Sequence, residues 1–279
     1  MQKLGIEKMN IKKILVPTDF SSPANNALRY ATVLAERYGA QVNIFHAFTV
    51  TLLSARGNPV LTDPKLARAN KQIAEAELKK LKRMASTRNR VKFNTTAAPI
   101  NWPMDLADVI HNQQVDLIVI GTTGASGLKK FFMGSNAARV IQNSRIPVLA
   151  VPEEAEFCEH PKIGFAYDGL ALKEFRKLSI IRSFKNTLNA SIQVFQIVRN
   201  RQPSSSHLSE LINFLSGAQG DYIYEGQIKS AILKCIKLNH FDMLVMIPRR
   251  HGFFRTLVSA SMTKRVVYKI PIPLLAIPG

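Results

Sequence analysis

The chain has 279 residues, 46% of them hydrophobic and 20% charged, which is material for one large domain or two of ordinary size and excludes global disorder. Its formal net charge is +19, with 21 basic against 9 acidic groups in residues 1–152 and 17 against 10 in residues 153–279. Such a surface attracts anions, so nucleotides, nucleic acid and acidic membrane faces all enter as partner classes.

No apolar run reaches the roughly 18–20 residues that a membrane helix needs, and no secretory apolar region precedes Lys12. Cys158 and Cys235 form neither a C-x-x-C pair nor a metal spacing. The expectation is a soluble, cytoplasmic protein with reduced thiols, and with residues 1–10 as a loose leader.

In chain order, a short apolar run predicts a strand near 13–17. Ser22 is a good N-cap, Pro23 suits the first helical position and Gly39 suits the stop, so a helix is predicted over 22–38. Ala27, Leu28, Ala31, Leu34 and Ala35 share one face of it. A strand near 41–48 follows, then a basic amphipathic helix near 65–87 with Ile73, Leu78 and Leu81 on its apolar side. Strands are predicted near 91–97, 117–121 and 147–151, and helices near 103–114 and 134–144. Asp105 and Asp108 open the helix after Pro103, where carboxylates favour the helix dipole. Glu153–Pro161, with four acidic residues, interrupts the pattern as a linker would. Beyond it, strands are predicted near 162–167, 191–198, 221–225, 243–247 and 273–277.

The chain also matches itself. Lys13–Asp19 parallels Lys162–Asp168 at an offset of 149, and Ala40–Phe45 parallels Ala190–Phe195 at 150. Asp116–Ile120 parallels Asp242–Met246, and Ile146–Pro152 parallels Ile272–Pro278, both at 126. Four matches in one order predict two tandem copies, 1–152 and 153–279, the second being shorter by 23 residues in its middle. Strands alternating with helices predict parallel sheets with right-handed crossovers. Ligands of such open sheets bind beyond the carboxyl ends of strands, where the strand order reverses.

Residues 121–135 follow a buried strand and read G-x2-G-x9-G-S. Glycines let backbone N–H groups approach a phosphate, and a helix start favours an anion, so this segment is a candidate phosphate loop. The plain alternative is a glycine-rich turn without a ligand. With Val16–Ser21, Phe45–Ala47, Asp116–Gly121 and Ile146–Pro152, the loop resembles the universal stress protein family in its tandem two-domain form. The match covers nearly the whole chain. The resemblance implies two α/β domains, each an open five-stranded parallel sheet of order 3-2-1-4-5 with helices on both faces, and ATP, with Mg or Mn, as ligand of the first.

Carried over by position, Pro17, Thr18 and Asp19 would hold the adenosine end, with Ala47 against the base. Ile120, Gly121, Thr123 and Gly124 would line the ribose and first phosphates, and Gly134, Ser135, Asn136 and Ala137 would hold the phosphates. Ionised Asp19 only accepts hydrogen bonds, which suits an amino group or ribose hydroxyls. Lys129 and Lys130, inside the loop, would screen phosphate charge. Thr123 stands where the family often has a larger polar residue, and Asn136 where it has a small apolar one.

In the second copy Gly121, Gly124 and Gly134 become Ile247, Arg250 and Ala260, and only Ser261 is kept. Asp168 is retained, while Pro17 and Thr18 become Ala166 and Tyr167. A silent second site is therefore expected, with Arg249–Arg255 as a basic loop for another anion or for a surface contact. Val148–Val151 and Leu274–Ile277 are edge strands suited to pairing, either within the chain as a pseudo-dimer or between chains as a homodimer. No histidine has metal spacing, and no general base or nucleophile arrangement is evident. The expected function is ATP-binding regulation of a stress response rather than catalysis. The alternatives are a slow ATPase related to the adenine-nucleotide α-hydrolases and a basic anion- or nucleic-acid-binding module. No zinc finger, recognition-helix or aromatic-basic RNA motif favours a nucleic-acid module.

Overall fold

Ten strands form one sheet, and its order follows from the repeat. The computed structural model describes residues 10–48, 51–53, 59–61, 64–86, 90–99, 105–122, 135–167, 178–198, 205–215, 218–224, 228–248 and 270–279. The first half comprises β1 (Lys13–Pro17), α1 (Ser22–Tyr38), β2 (Gln41–Ala47), β3 (Thr51–Leu53), β4 (Pro59–Leu61), α2 (Pro64–Ser86), β5 (Phe93–Ala98), α3 (Leu106–Gln113), β6 (Leu117–Gly121), α4 (Ser135–Asn143) and β7 (Val148–Val151). The second comprises β8 (Lys162–Tyr167), α5 (Ser179–Thr187), β9 (Ser191–Val198), α6 (Ser205–Phe214), β10 (Gln219–Tyr224), α7 (Ile228–Asn239), β11 (Met243–Met246) and β12 (Leu274–Ala276).

The sheet order is β10-β9-β8-β11-β12-β7-β6-β1-β2-β5. Each half therefore has the order 3-2-1-4-5 once the separate β3–β4 hairpin is set aside. Within the ten-stranded sheet every pairing inside a half is parallel, and the β3–β4 hairpin is antiparallel. The halves meet in an antiparallel pairing of β7 with β12: Val148 opposite Ala276, Leu149 opposite Leu275, and Ala150 opposite Leu274. Leu149 and Leu275 are equivalent in the two copies, so a local two-fold axis passes between them.

The central strands are apolar on both faces, as parallel strands covered on both sides must be. Alternate residues go to opposite layers. Ile14, Val16, Leu117 and Val119 pack with α1, α2, α5 and α6, while Leu15, Ile118 and Ile120 pack with α3, α4 and α7. Both layers run across the two halves.

Equivalent details recur at the repeat offsets. Asp116 Oδ2 accepts from Lys13 N at 2.9 Å, and Asp242 Oδ2 accepts from Lys162 N at 2.8 Å. Helix stops recur as well: left-handed Gly39 and Asn189 follow α1 and α5, and left-handed Gln114 and His240 follow α3 and α7. Asn, unlike most residues, tolerates this conformation, so the second copy ends α5 without glycine.

Several expectations need adjustment. The cap of α1 is Ser21, whose hydroxyl accepts from Ala24 N at 3.4 Å, and Ser22 is already helical. The helix after Pro103 begins at Leu106, with Asp105 in the cap position. The β3–β4 hairpin was not anticipated, because three-residue strands carry too little periodicity. On α2, Leu78 is buried but Ile73 is 64% exposed. Five residues of helix turn through about 140°, which takes Ile73 off the face of Leu78.

The segment expected as a linker lies across α1. Asn26 Nδ2 donates to the carbonyls of Pro152 at 2.7 Å and Ala155 at 3.0 Å. The rings of Tyr30 and Phe157 are 4.9 Å apart, and exposed Arg37 pairs with Glu159 at 2.6 Å. At the end of α1, the Tyr38 ring lies 6.0 Å from Phe184 of α5, joining the halves. Burial pushes the Tyr38 phenol up to about 12; nearby Ser183 and Thr187 offset this only in part. The hydroxyl closes no well-formed hydrogen bond among the described residues.

The raised value has a testable consequence. The folded state holds Tyr38 neutral, whereas the unfolded chain ionises near pH 10, so its contribution is intact below about pH 10 and lost as pH rises towards 12. Urea denaturation from pH 9 to 12 is expected to show stability falling by up to about 2 kcal/mol from this group. Tyr38→Phe is expected to flatten that part of the profile, and an unchanged slope would show that Tyr38 is not its source.

Candidate functional site

The site begins with an amide that is missing. In a parallel strand, successive residues turn their hydrogen-bonding groups to opposite neighbours. Thr18 N donates to Phe45 O of β2 at 2.8 Å, so residue 17 faces β6. Pro17 has no N–H to give. The β1–β6 ladder accordingly ends at Leu15 opposite Ile118, although β1 stays paired with β2 up to Pro17 and β6 stays paired with β7 up to Gly121. In the second half Ala166 replaces the proline, and β8–β11 pairing continues to Ala166 opposite Met246. The strand order reverses between β1 and β6. The first half thus has an unpaired crevice at its switch point, whereas the second half is laddered across the same place.

Beyond Pro17 the chain is held in a tight turn. Buried Thr18 accepts from Phe20 N through Oγ1 at 2.9 Å. Exposed Asp19 accepts from Ser21 N through Oδ1 at 3.1 Å. These two side-chain bonds secure Phe20 at φ 63°. A bulky residue in that region is strained by about 1–3 kcal/mol. The ring of Phe20 lies tilted against His46, with centroids 4.5 Å apart, and His46 Nδ1 is 2.8 Å from the Thr18 carbonyl. The carbonyl can only accept, so Nδ1 carries a proton and donates it. Neither the Phe20–His46 pair nor the strained φ was legible in the sequence; aromatic residues next to two strand ends were the only hint.

Because the strands are parallel, Pro17, Thr18 and Asp19, Ala47, and Ile120 and Gly121 all come to one edge, at the ends of β1, β2 and β6. Ala47 is half-buried. Ile120 is buried, with its side chain in the layer of α3 and α4. The α4 helix begins at Ser135 on this same edge, and its first amides lack intrahelical partners. Asn136 is exposed, but the Ala137 side chain is buried in the core, so only its backbone remains for a ligand. Thr123, Gly124 and Gly134, with Lys129 and Lys130, lie outside the described residues, as do Asp168 and Arg249–Arg255 of the second copy.

Gly121 has a reason of its own. A Cβ there would lie 2.8 Å from both the carbonyl carbon and oxygen of Pro23, and 3.1 Å from Ala24 N. The first turn of α1 packs directly on the end of β6, and this accounts for the glycine without any phosphate. Its counterpart Ile247 is buried in the layer of α1 and α5. Among the described residues no cluster of His, Cys, Asp and Glu suits a metal ion, and no helix is long and apolar enough to cross a membrane.

The profile of the universal stress protein family matches residues 10–152. A universal stress protein of Methanocaldococcus jannaschii is 36% identical over 146 residues, covering 50% of this chain and 81% of its own. One from Synechocystis is 23% identical over 292 aligned positions, covering 95% of this chain and 99% of its own. The crystal structure of a universal stress protein from Archaeoglobus fulgidus superposes with a TM-score of 0.66 at 16% identity, over 97% of this chain and 99% of that one. That likeness speaks for the fold alone.

The close approach at Gly121 can be tested apart from any ligand. Gly121→Ala sets a methyl group against backbone that cannot swing aside. A loss of about 1–3 kcal/mol in nucleotide-free denaturation is expected. Unchanged stability would return this glycine to the phosphate reading.

Proposed function

The chain belongs to the universal stress protein family, and from that premise we propose that residues 1–152 bind one ATP at the carboxyl edge of β1 and β6. Residues 153–279 then serve as scaffold and pseudo-dimer partner in a cytoplasmic, nucleotide-dependent regulator of stress responses. The observation that carries this reading is the β1–β6 crevice, unpaired because of Pro17 and laddered shut at Ala166 in the second copy.

Asp19, exposed at the crevice, would accept hydrogen bonds from ribose hydroxyls or the adenine amino group. Pro17, Thr18 and Ala47 would flank the adenosine end. Ile120 and Gly121 would form the floor with their backbone, followed by Thr123 and Gly124. Gly134 would let the chain approach the phosphates. The amides of Ser135, Asn136 and Ala137 would meet phosphate charge at the start of α4, where the helix dipole favours anions. A Mg or Mn ion carried by ATP would offset the rest of that charge. The antiparallel β7–β12 pairing supports the pseudo-dimer, since it joins equivalent strands within one chain.

Calorimetric titration of nucleotide-stripped protein with Mg-ATP is expected to give about one site per chain, with a ligand-dependent rise in Tm. Asp19→Ala is expected to weaken binding by about tenfold or more, as loss of a charged acceptor does. Gly124→Arg, which copies the second domain, is expected to abolish binding with the fold intact. Two sites per chain would mean that the second copy is live. No binding, or full binding by Gly124→Arg, would overturn the assignment.

Pro17→Ala restores the missing N–H. It is expected to extend the β1–β6 ladder towards Val119, slow amide exchange there, and lower ATP affinity by at least about fivefold while Tm changes little. Unchanged affinity would remove the crevice from the explanation.

A further inference from the structure

A second concave surface lies between α1 and α2, reaching Phe20 and Ser22 of the turn after β1 at one end. It is a groove of about 1230 Å³, and its walls include Leu28 and Thr32 from α1, and Leu81 and Ala85 from α2. Asn25, also in the wall, has Oδ1 buried without a donor among the described residues. Met84 stands at the groove and is 64% exposed. It does not stand alone: Leu66 is 46% exposed and Ile73 64% exposed on the same helix. At 100° per residue these three fall within about 20° of one another, so they form one stripe along α2. The stripe lies about 80–100° from buried Ala74 and about 120–140° from buried Leu78. An apolar stripe beside an apolar-floored groove marks a contact surface rather than scattered exposure.

The charge at this surface identifies the chemistry of its occupant. Arg29, Lys80 and Arg83 line the groove against a single carboxylate, Glu77. Among the described residues neither Lys80 nor Arg83 has a carboxylate partner, unlike Arg37, which pairs with Glu159, and Lys71, which pairs with Glu75. A second copy of this chain is a poor occupant, because it would bring the same cations face to face on a chain of net charge +19. A flat bilayer would touch Met84 and Ile73 but leave Leu28 and Leu81 at the groove floor unfilled. A helix with one apolar and one acidic face fills the groove and meets the rim.

We propose that the α1–α2 groove is the docking site for an acidic amphipathic helix of a partner protein. Leu28, Leu81 and Met84 receive its apolar face, and Arg29, Lys80 and Arg83 receive its carboxylates. This surface works without nucleotide and shares no lining residue with the proposed nucleotide site, although the two meet at the turn that carries Phe20.

The test is selection from a displayed library of random helix-forming peptides of about 18 residues, the length that spans Leu66 to Met84 at 1.5 Å per residue. The bait is the full-length, nucleotide-free protein. Recovered peptides are expected to carry large apolar residues at i, i+3, i+4 and i+7 and an excess of Glu and Asp. Their affinity, read by fluorescence anisotropy, is expected to fall about tenfold or more in Met84→Asp and in Lys80→Glu/Arg83→Glu. All three positions are exposed, so unchanged Tm and circular dichroism are expected alongside. Recovery of no peptide overturns the proposal, as does a set without acidic bias or one that binds Met84→Asp equally well. So do two competing occupants: vesicles of phosphatidylserine and phosphatidylcholine bound in a Met84-dependent way more tightly than the peptides, or a homodimer in sedimentation that Met84→Asp dissociates.

Discussion

The pairing of β7 with β12 is the constraint on which the rest of the molecule depends. Each half alone would end in an apolar strand with one row of unpaired backbone groups, a template for aggregation. Turned about the axis between Leu149 and Leu275, the two edges satisfy each other. All seven strand residues at the joint are buried. The same turn brings α1 near α5 and lets both hydrophobic layers continue across the seam. The remaining sheet edges, β5 and β10, lie at opposite ends and carry polar residues such as Asn94 and Asp221.

Covalent linkage of two copies changes what each must preserve. Both need the strand ties at Asp116 and Asp242, the left-handed helix stops and the apolar joint, and these recur at the repeat offsets. At the strand ends the two copies meet different local demands. There the copies part: Pro17 against Ala166 alters one ladder donor, and Gly121 against Ile247 alters how a helix meets a strand end. A single N–H separates a ladder that stops at Leu15 from one that reaches Ala166, with the same fold on both sides.

Much of this was legible because it rests on periodicity and repetition. The apolar runs, the offsets of 149 and 126, and Gly39 as a helix stop needed no tertiary information. What could not be read was contact. Two adjacent serines precede Pro23, and only the fold selects Ser21 as the cap. Gly121 carries the same letter whether it faces a phosphate or the Pro23 carbonyl, and the distance to Pro23 came only from the packed helix. Ile73 looks like a core residue of an amphipathic helix until the orientation of α2 over β5 is known. The strand order likewise hid the meaning of Pro17, whose missing donor matters only because residue 17 faces β6.

Helix α1 shows how these demands combine in one sequence. Its alanines at 24, 27, 31 and 35 are all buried, which lets the helix lie close over β1, β2, β6 and β7. Larger side chains there would lift its first turn from Gly121. Its flank towards the second half is specified differently: Asn26 binds two carbonyls of the connecting segment, Tyr30 packs on Phe157, and Tyr38 reaches Phe184. Its N-terminus is fixed by the Thr18–Ser21 turn, whose strained Phe20 is held by two side-chain bonds and by His46. One helix therefore connects the strand-end turn of the first half to the packing of the second. The face left over, around Leu28, Arg29 and Thr32, belongs to the groove with α2, apolar at its floor and basic at its rim.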